Sequence, residues 1–320
     1  MSSAASATDH LADAKASALD DLSVSVVIAT RDRPQLLARA IAGVLAQDDV
    51  GDLEIVLVFD HSEPDHSLGL DEPGRRIRVT TNERKPGLAG ARNSGVAKAT
   101  HPWVAFCDDD DEWLPGKLAA QFAALRTTPS ALVATTGVFI NFDDEDTERI
   151  PDPAKLTFED FIRDRMTEVH PSATLFLAAA WGAIGQVDED IPGGYAEDYD
   201  WLLRAAKIAP IAAATQPLVR VYWHGASFFF ERWRMIDEAL GYLVDKFPEF
   251  HDDPVGLARI RGQQAVAQAA MGERGRAFRT AVETFKLSPK ERRVPVALVV
   301  AAGVPAASIL KLLHRFGKGI

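Results

Sequence analysis

The chain has 320 residues, 47% of them hydrophobic and 25% charged, an ordinary globular composition long enough for one large α/β domain and a smaller appendage. Its net charge of −11 speaks against a general nucleic-acid binder, because phosphate backbones reward clustered Lys and Arg. The single cysteine, Cys107, excludes a disulfide framework and a multi-cysteine zinc site and fits a reducing cytosol.

Residues 1–22 are rich in Ala, Ser and Asp and have no apolar core like that of a signal peptide, so they read as a disordered tail. Val24–Ala29 is an apolar, β-branched run, as expected of a strand buried on both faces. Pro34 suits the first turn of a helix whose apolar face is Leu36, Leu37, Ala40, Ile41, Val44 and Leu45. Glu54–Phe59 and Ile77–Thr80 read as strands, Leu88–Ala99 as a helix despite Gly90 and Gly95, and Trp103–Cys107 as a fourth strand. A helix through Leu118, Phe122 and Leu125 follows, then a strand over Leu132–Ile140. Alternation at this spacing predicts a mostly parallel sheet covered by helices.

Residues 141–172 are less regular, with loops expected at Asp143–Asp146 and Pro151–Pro153. Ala173–Phe176 reads as a short strand and Trp201–Ala206 as part of a helix. Beyond Trp223 the pattern is helical, over Met235–Phe247, Val255–Met271 and Arg274–Phe285, the last two resembling a tetratricopeptide-like hairpin.

Charge changes sign at the end. From Lys286 onward seven basic residues (286, 290, 292, 293, 311, 315 and 318) face one acid, Glu291, a net +6 that leaves −17 on the first 285 residues. Val294–Leu310 is seventeen residues without a charge, short of the roughly 20 a bilayer span needs, and is interrupted by Pro295, Gly303 and Pro305. Two readings stand: a helix lying on a membrane surface with Lys311, Arg315 and Lys318 at the head groups, or a helix packed on the body of the protein.

The strongest chemical signal is Phe106-Cys107-Asp108-Asp109-Asp110-Asp111-Glu112-Trp113-Leu114-Pro115. Four aspartates follow an apolar strand directly, at the carboxyl edge where open α/β sheets bind ligands. Crowded carboxylates resist ionising together, and a Mg²⁺ or Mn²⁺ ion completed by phosphate oxygens relieves that. An isolated acidic run would more often be a solvated turn; the strand before it and the Trp-Leu-Pro after it weigh for the metal. A second element, Gly193-Gly194-Tyr195-Ala196-Glu197-Asp198-Tyr199-Asp200-Trp201, sets acids at a helix start, where plain N-terminal capping is the competing explanation.

With these motifs the chain resembles family 2 of the inverting glycosyltransferases, which are built on the GT-A nucleotide-binding fold. Val24–Arg33 resembles that family's opening strand and donor-contacting turn, with Thr30, Arg31 and Asp32 at the donor. Asp60 stands where the family has an acid facing the base, and Asn82 with Gly87–Gly95 resembles its nucleotide-contacting helix. The resemblance covers residues 23–227. It implies a GT-A fold with a mostly parallel mixed sheet, followed over residues 228–320 by a helical C-terminal extension.

The resemblance also implies roles. Asp110 is the favoured metal ligand, with Asp108 or Asp109 contacting ribose or metal. Asp198 is the general base and Glu197 helps to set its loop. Arg92 is either a solvated surface cation or one facing the diphosphate, and the motif favours the second. His224, in Tyr222-Trp223-His224-Gly225, is expected near the donor phosphates or metal, with a packed histidine as the alternative. His170-Pro171-Ser172 is assigned to the acceptor cleft; Trp181 and Trp201 either stack on a sugar or pack in the core, the latter being favoured.

Two departures from the family pattern are visible. Phe59 precedes Asp60 where the family has another acid, and four consecutive aspartates leave the register of the metal motif open. The expected activity is inverting, metal-assisted transfer of a sugar from a nucleoside-diphosphate donor, with UDP the commonest in that family, to a hydroxyl of a glycan or lipid-linked acceptor. The expected location is cytoplasmic, peripheral at the inner membrane face through residues 286–320. The alternatives are a nucleotidyltransferase, whose glycine-rich loop after the first strand is missing from Thr30-Arg31-Asp32-Arg33-Pro34, and an inert GT-A scaffold, against which the acidic motifs argue.

Overall fold

A computed structural model describes residues 2–223, 232–306 and 308–309, with residues 2–9 described by backbone alone. The chain divides into two compact units, each described by itself below. The first takes Met1–Phe158, Met166–Glu189 and Glu197–Trp223, and the second takes Glu159–Arg165, Asp190–Ala196 and His224–Ile320.

The first unit begins with helix α1 (Ser2–Ala18), strand β1 (Val24–Thr30), helix α2 (Pro34–Leu45) and strand β2 (Leu53–Phe59). Strands β3 (Leu70–Glu72) and β4 (Arg75–Thr81), helix α3 (Leu88–Val96) and strands β5 (Trp103–Asp108) and β6 (Glu112–Trp113) follow. Helix α4 (Lys117–Thr127) leads to strands β7 (Val133–Phe142) and β8 (Glu145–Arg149), and the short helix α5 (Phe158–Arg163) passes into the second unit. Strand β9 (Leu175–Leu177), helices α6 (Trp181–Ile184) and α7 (Glu197–Ile208) and strand β10 (Ala212–Tyr222) complete it.

The ten strands form one mixed sheet in the order β3-β4-β2-β1-β5-β9-β7-β10-β6, with β8 paired to β7. Strands β4, β2, β1 and β5 are mutually parallel. The runs of β1, β2 and β5 are buried on both faces, as parallel strands covered by helices must be, while β4 keeps only Ile77 buried. Close packing requires glycine in α3: a methyl at Gly95 would overlap Val27 of β1, and one at Gly90 would overlap the Lys85 carbonyl. The backbone approach that these glycines permit is therefore to the protein itself.

Within the stretch expected to be a disordered tail, residues 2–18 form helix α1, which a buried amine anchors. Lys15 is 3% exposed, and its Nζ donates to the carbonyls of Leu125, Thr128 and Pro129, at 2.9, 2.8 and 3.0 Å. These oxygens lie at the end of α4, where a helix leaves its last carbonyls without intrahelical partners. The Trp103 indole adds a bond to the Ala18 carbonyl.

The less regular stretch after residue 141 also holds unforeseen structure. Asp143 and Asp144 adopt φ of 50° and 63° and make a two-residue hairpin turn between β7 and β8. Strand β10 escaped the sequence pattern because Pro217 interrupts it, at a register shift in its parallel pairing with β7.

The second unit is built around helix α9 (Pro254–Ala270), preceded by α8 (Trp233–Lys246) and followed by α10 (Arg274–Leu287) and α11 (Arg293–Ala301). Asp253 caps α9, accepting from the amides of Val255 and Gly256. Helix α11 begins the charge-free segment, and its inner face is committed to packing. Val294, Ala297 and Val300 are buried in clusters with Ala265, Val266, Ala269, Ala277 and Ala281. No helix among the described residues is long and apolar enough to cross a membrane.

Candidate active site

The site collects at the carboxyl ends of β1, β2 and β5. Parallel pairing sets Ala29 beside Asp108, so the turn after β1 and the acidic run after β5 emerge side by side. Thr30 Oγ1 donates to Asp109 at 2.7 Å, and the Asp60 amide donates to the Thr30 carbonyl at 3.0 Å. Beyond Thr30, Arg31 and Asp32 are exposed, with Asp32 at a φ of 54°.

Each aspartate of the run has a different environment. Asp108, half-buried, accepts from Arg92 Nη2 at 2.6 Å. Asp109 is 7% exposed; burial pushes its carboxyl up to about 6, against the Thr30 hydroxyl that favours its ionised form. Asp110 pairs at 2.8 Å with Arg33 on the open side, and burial and Asp108 raise its pKa. Asp111 is 2% exposed and accepts from the Ser172 hydroxyl and the Tyr222 amide. Burial, then the neighbouring Asp108 and Asp110, raise its pKa well above the usual range.

Two backbone devices hold this loop. Ser172 Oγ accepts from the Asp108 amide at 3.0 Å while donating to Asp111, tying the run to the turn before β9. Strand β6 pairs antiparallel with β10, where Arg220 and Tyr222 both bond Glu112 Oε2, at 2.9 and 2.8 Å. Arg39 donates to the Asp110 carbonyl at 2.8 Å and lies over the Tyr222 ring.

Asp108, Asp111 and His170 bring ligand atoms within 4.8 Å of one another, a donor set able to hold a divalent cation. His170 Nδ1 lies 3.4 Å from Asp111, and burial lowers the histidine's pKa, favouring the neutral form that a metal requires. Asp110 lies outside this trio and faces Arg33.

Arg92 is not a solvated surface cation. It is 3% exposed, with Nη2 on Asp108 and Nη1 on Glu197 at 2.9 Å. Glu197 is 4% exposed; burial, then Asp198, push its pKa up to about 7 against the opposing pull of Arg92. Asp198, next on α7, is half-buried. Before them Gly193, Gly194 and Ala196 all have positive φ, a tight turn that brings the chain into the helix with its acids first.

Asp60 has structural partners: it accepts from Asn82 Nδ2 at 2.8 Å and from the Gly87 amide at 3.1 Å, holding the loop that starts α3. Trp201 is 3% exposed, donates to the Gly185 carbonyl and packs with Phe106, Phe176 and Trp181, so both tryptophans belong to an aromatic core. His224 lies outside the described residues, as do Lys311, Arg315 and Lys318. Arg33 and Ser172 bind the acidic run in ways that local sequence did not convey: Arg33, within the turn after β1, reaches Asp109 and Asp110, and Ser172 reaches Asp108 and Asp111.

This architecture is that of GT-A glycosyltransferases, and residues 25–180 match the family model described as Glycosyl transferase family 2, so the chain carries a glycosyltransferase domain of that family. The sheet-and-site arrangement and the match together set aside the nucleotidyltransferase alternative. Over 191 residues the chain is 29% identical to the uncharacterized glycosyltransferase YwdF of Bacillus subtilis (strain 168), covering 58% of this chain and 69% of that one. Over 107 residues it is 31% identical to WfgD of Escherichia coli, a UDP-Glc:alpha-D-GlcNAc-diphosphoundecaprenol beta-1,3-glucosyltransferase, covering 33% of this chain and 42% of that one. Among solved structures, S. aureus TarS (residues 1–349) in complex with UDP is similar with a TM-score of 0.58 at 14% identity, over 92% of each chain.

Proposed function

We propose that this chain transfers a sugar, with inversion, from a UDP-sugar to a hydroxyl of a glycan or lipid-linked acceptor. The observation that carries the reading is the Arg92 bridge, which joins an aspartate of the acidic run to the glutamate beside the candidate base. The donor class is supported by the UDP named for both WfgD and the TarS complex, and the acceptor class by the diphosphoundecaprenol in WfgD's name.

Asp198 is the general base: it takes the acceptor hydroxyl's proton as the oxygen attacks the anomeric carbon and the nucleoside diphosphate leaves from the opposite face. Glu197 and Arg92 are positioning residues, fixing the start of α7 against β5. Thr30, Arg31, Asp32, Asp60 and Asp109 line the donor side, and the family resemblance adds His224.

The residues present fit a divalent cation, Mn²⁺ or Mg²⁺, because burial and mutual repulsion raise the pKa of three neighbouring aspartates. When bound, the ion offsets charge on the leaving diphosphate. Asp108 is the shared ligand. Asp110, with a side chain 25% exposed and an Arg33 partner that is itself 43% exposed, is the reachable second carboxylate. Asp111 and His170 form the alternative inner set that their spacing favours.

Donor hydrolysis across UDP-, GDP- and dTDP-sugars, with Mn²⁺ and with excess chelator, tests this reading. Metal-dependent release of UDP is expected; chelator-insensitive turnover would remove the cation from it. We further place the enzyme peripherally at the inner face of the membrane, through contact within residues 286–320, as a lipid-linked acceptor requires. Binding of the full chain to anionic vesicles at low salt tests that placement.

A further inference from the structure

Nine large hydrophobic side chains are exposed among the described residues, and six of them fall in one short stretch of the second unit: Phe278, Val282, Phe285, Leu298, Val299 and Val304. Phe278, Val282 and Phe285 stand at i, i+4 and i+7 on α10, which puts them on one face. Phe278 is 58% and Phe285 52% exposed, while Ala277, Ala281 and Thr284 on the other face are buried. The helix thus has two apolar faces, one consumed by packing and one unpartnered.

The charge around the unpartnered face runs against that of the chain. Arg274, Arg279, Lys286, Lys290 and Arg292 are exposed along it, with Glu283 as the opposing exposed acid, in a protein whose net charge is −11. Large aromatic side chains flanked by cations match an interface between anionic head groups and acyl chains. A second copy of the same face would instead set Arg279 and Lys286 against their own kind, which disfavours a two-fold contact.

We propose that the outer face of α10 and α11 docks onto an anionic phospholipid bilayer, with Phe278 and Phe285 as the side chains that enter it. This rests on the membrane placement above and moves its principal apolar anchor from the charge-free segment to α10, with the exposed Leu298 and Val299 of α11 beside it. The inner face of α11 is committed to the helical core, whereas the α10 stripe is open.

The test is flotation of the full chain with phosphatidylcholine vesicles, with and without phosphatidylglycerol. Wild-type protein should float with phosphatidylglycerol vesicles alone, and high salt should release it. Phe278→Ser with Phe285→Ser should weaken partitioning by roughly tenfold or more, as loss of two inserted aromatic side chains requires, with donor hydrolysis and melting temperature unchanged. If the double variant floats like wild type while a chain lacking residues 304–320 does not, the α10 stripe is refuted and the membrane placement survives. If wild type ignores both vesicle types, placement and stripe fall together. A concentration-dependent dimer that the double variant dissociates would make the face a self-interface and overturn the proposal.

Discussion

Arg92 and Glu197 meet as a buried ion pair, Nη1 to Oε1 at 2.9 Å, 105 positions apart in the chain, with side chains 3% and 6% exposed. The same guanidinium holds Asp108, so one cation spans two acids that would otherwise repel across the site. Removing one partner of a buried pair leaves the other charge stranded.

Arg92→Met should therefore cost about 3–5 kcal/mol of stability as well as activity, measured by urea unfolding. Arg92→Lys, which cannot make both planar contacts, should recover only part of it. If Arg92→Met kept full stability and lost only donor affinity, the arginine would be a diphosphate contact instead of a tie between loops.

Glu197 gives a stability change with a defined sign. Its carboxyl sits at about 7 in the folded chain, above the ordinary 4.5, so folding favours the neutral form. That contribution is fully present below about pH 4.5 and is lost as pH rises through about 7. The melting temperature of wild type should fall relative to Glu197→Gln between about pH 5 and 8, by about 2–4 °C for each kcal/mol lost. Parallel melting curves for the two proteins would refute the raised pKa.

Asp198→Asn should lower turnover by roughly 10²–10⁴-fold with donor affinity nearly unchanged, because its role is toward the acceptor. A collapse in donor binding, read by calorimetry with the UDP-sugar, would make Asp198 a donor residue.

Asp110→Asn and Asp111→Asn separate the two metal registers. If Asp110 is the ligand, its amide variant loses Mn²⁺ binding at normal stability, while Asp111→Asn keeps the ion. The reverse result would transfer the ion to Asp111 and His170.

Lys15→Met should destabilise the first unit by about 1–3 kcal/mol, because three carbonyls at the end of α4 lose one shared donor. Unchanged thermal unfolding would show that α1 is dispensable to the sheet.

Strands β1, β2 and β5 were legible because each is a largely apolar run: Val24–Thr30, Leu53–Phe59 and Trp103–Asp108 differ from the expected spans by a residue at most at each end, whereas the arginine-rich β4 starts two residues before the expected Ile77. Strand β10 was not, since Pro217 and the polar Thr215-Gln216 break its pattern, and α1 was hidden by a composition that also suits a solvated tail. In the site, the acidic run and the Glu197-Asp198 pair announce themselves locally. The part played by Arg92 does not, because its meaning depends on Asp108 and Glu197 arriving from distant positions. The tie from Ser172 to Asp111 was likewise invisible: the sequence offered Ser172 only as part of an acceptor cleft, and its partner arrives from 61 positions away.

The lysine on α1 also imposes an order in time. Its three acceptors lie 110, 113 and 114 residues further along the chain. A ribosome adding about 5–20 residues per second needs roughly 5–20 s to produce them after Lys15 itself emerges. Through that interval the amine stays in water and α1 has no seat, so this helix cannot be locked in place until α4, made long after it, has formed.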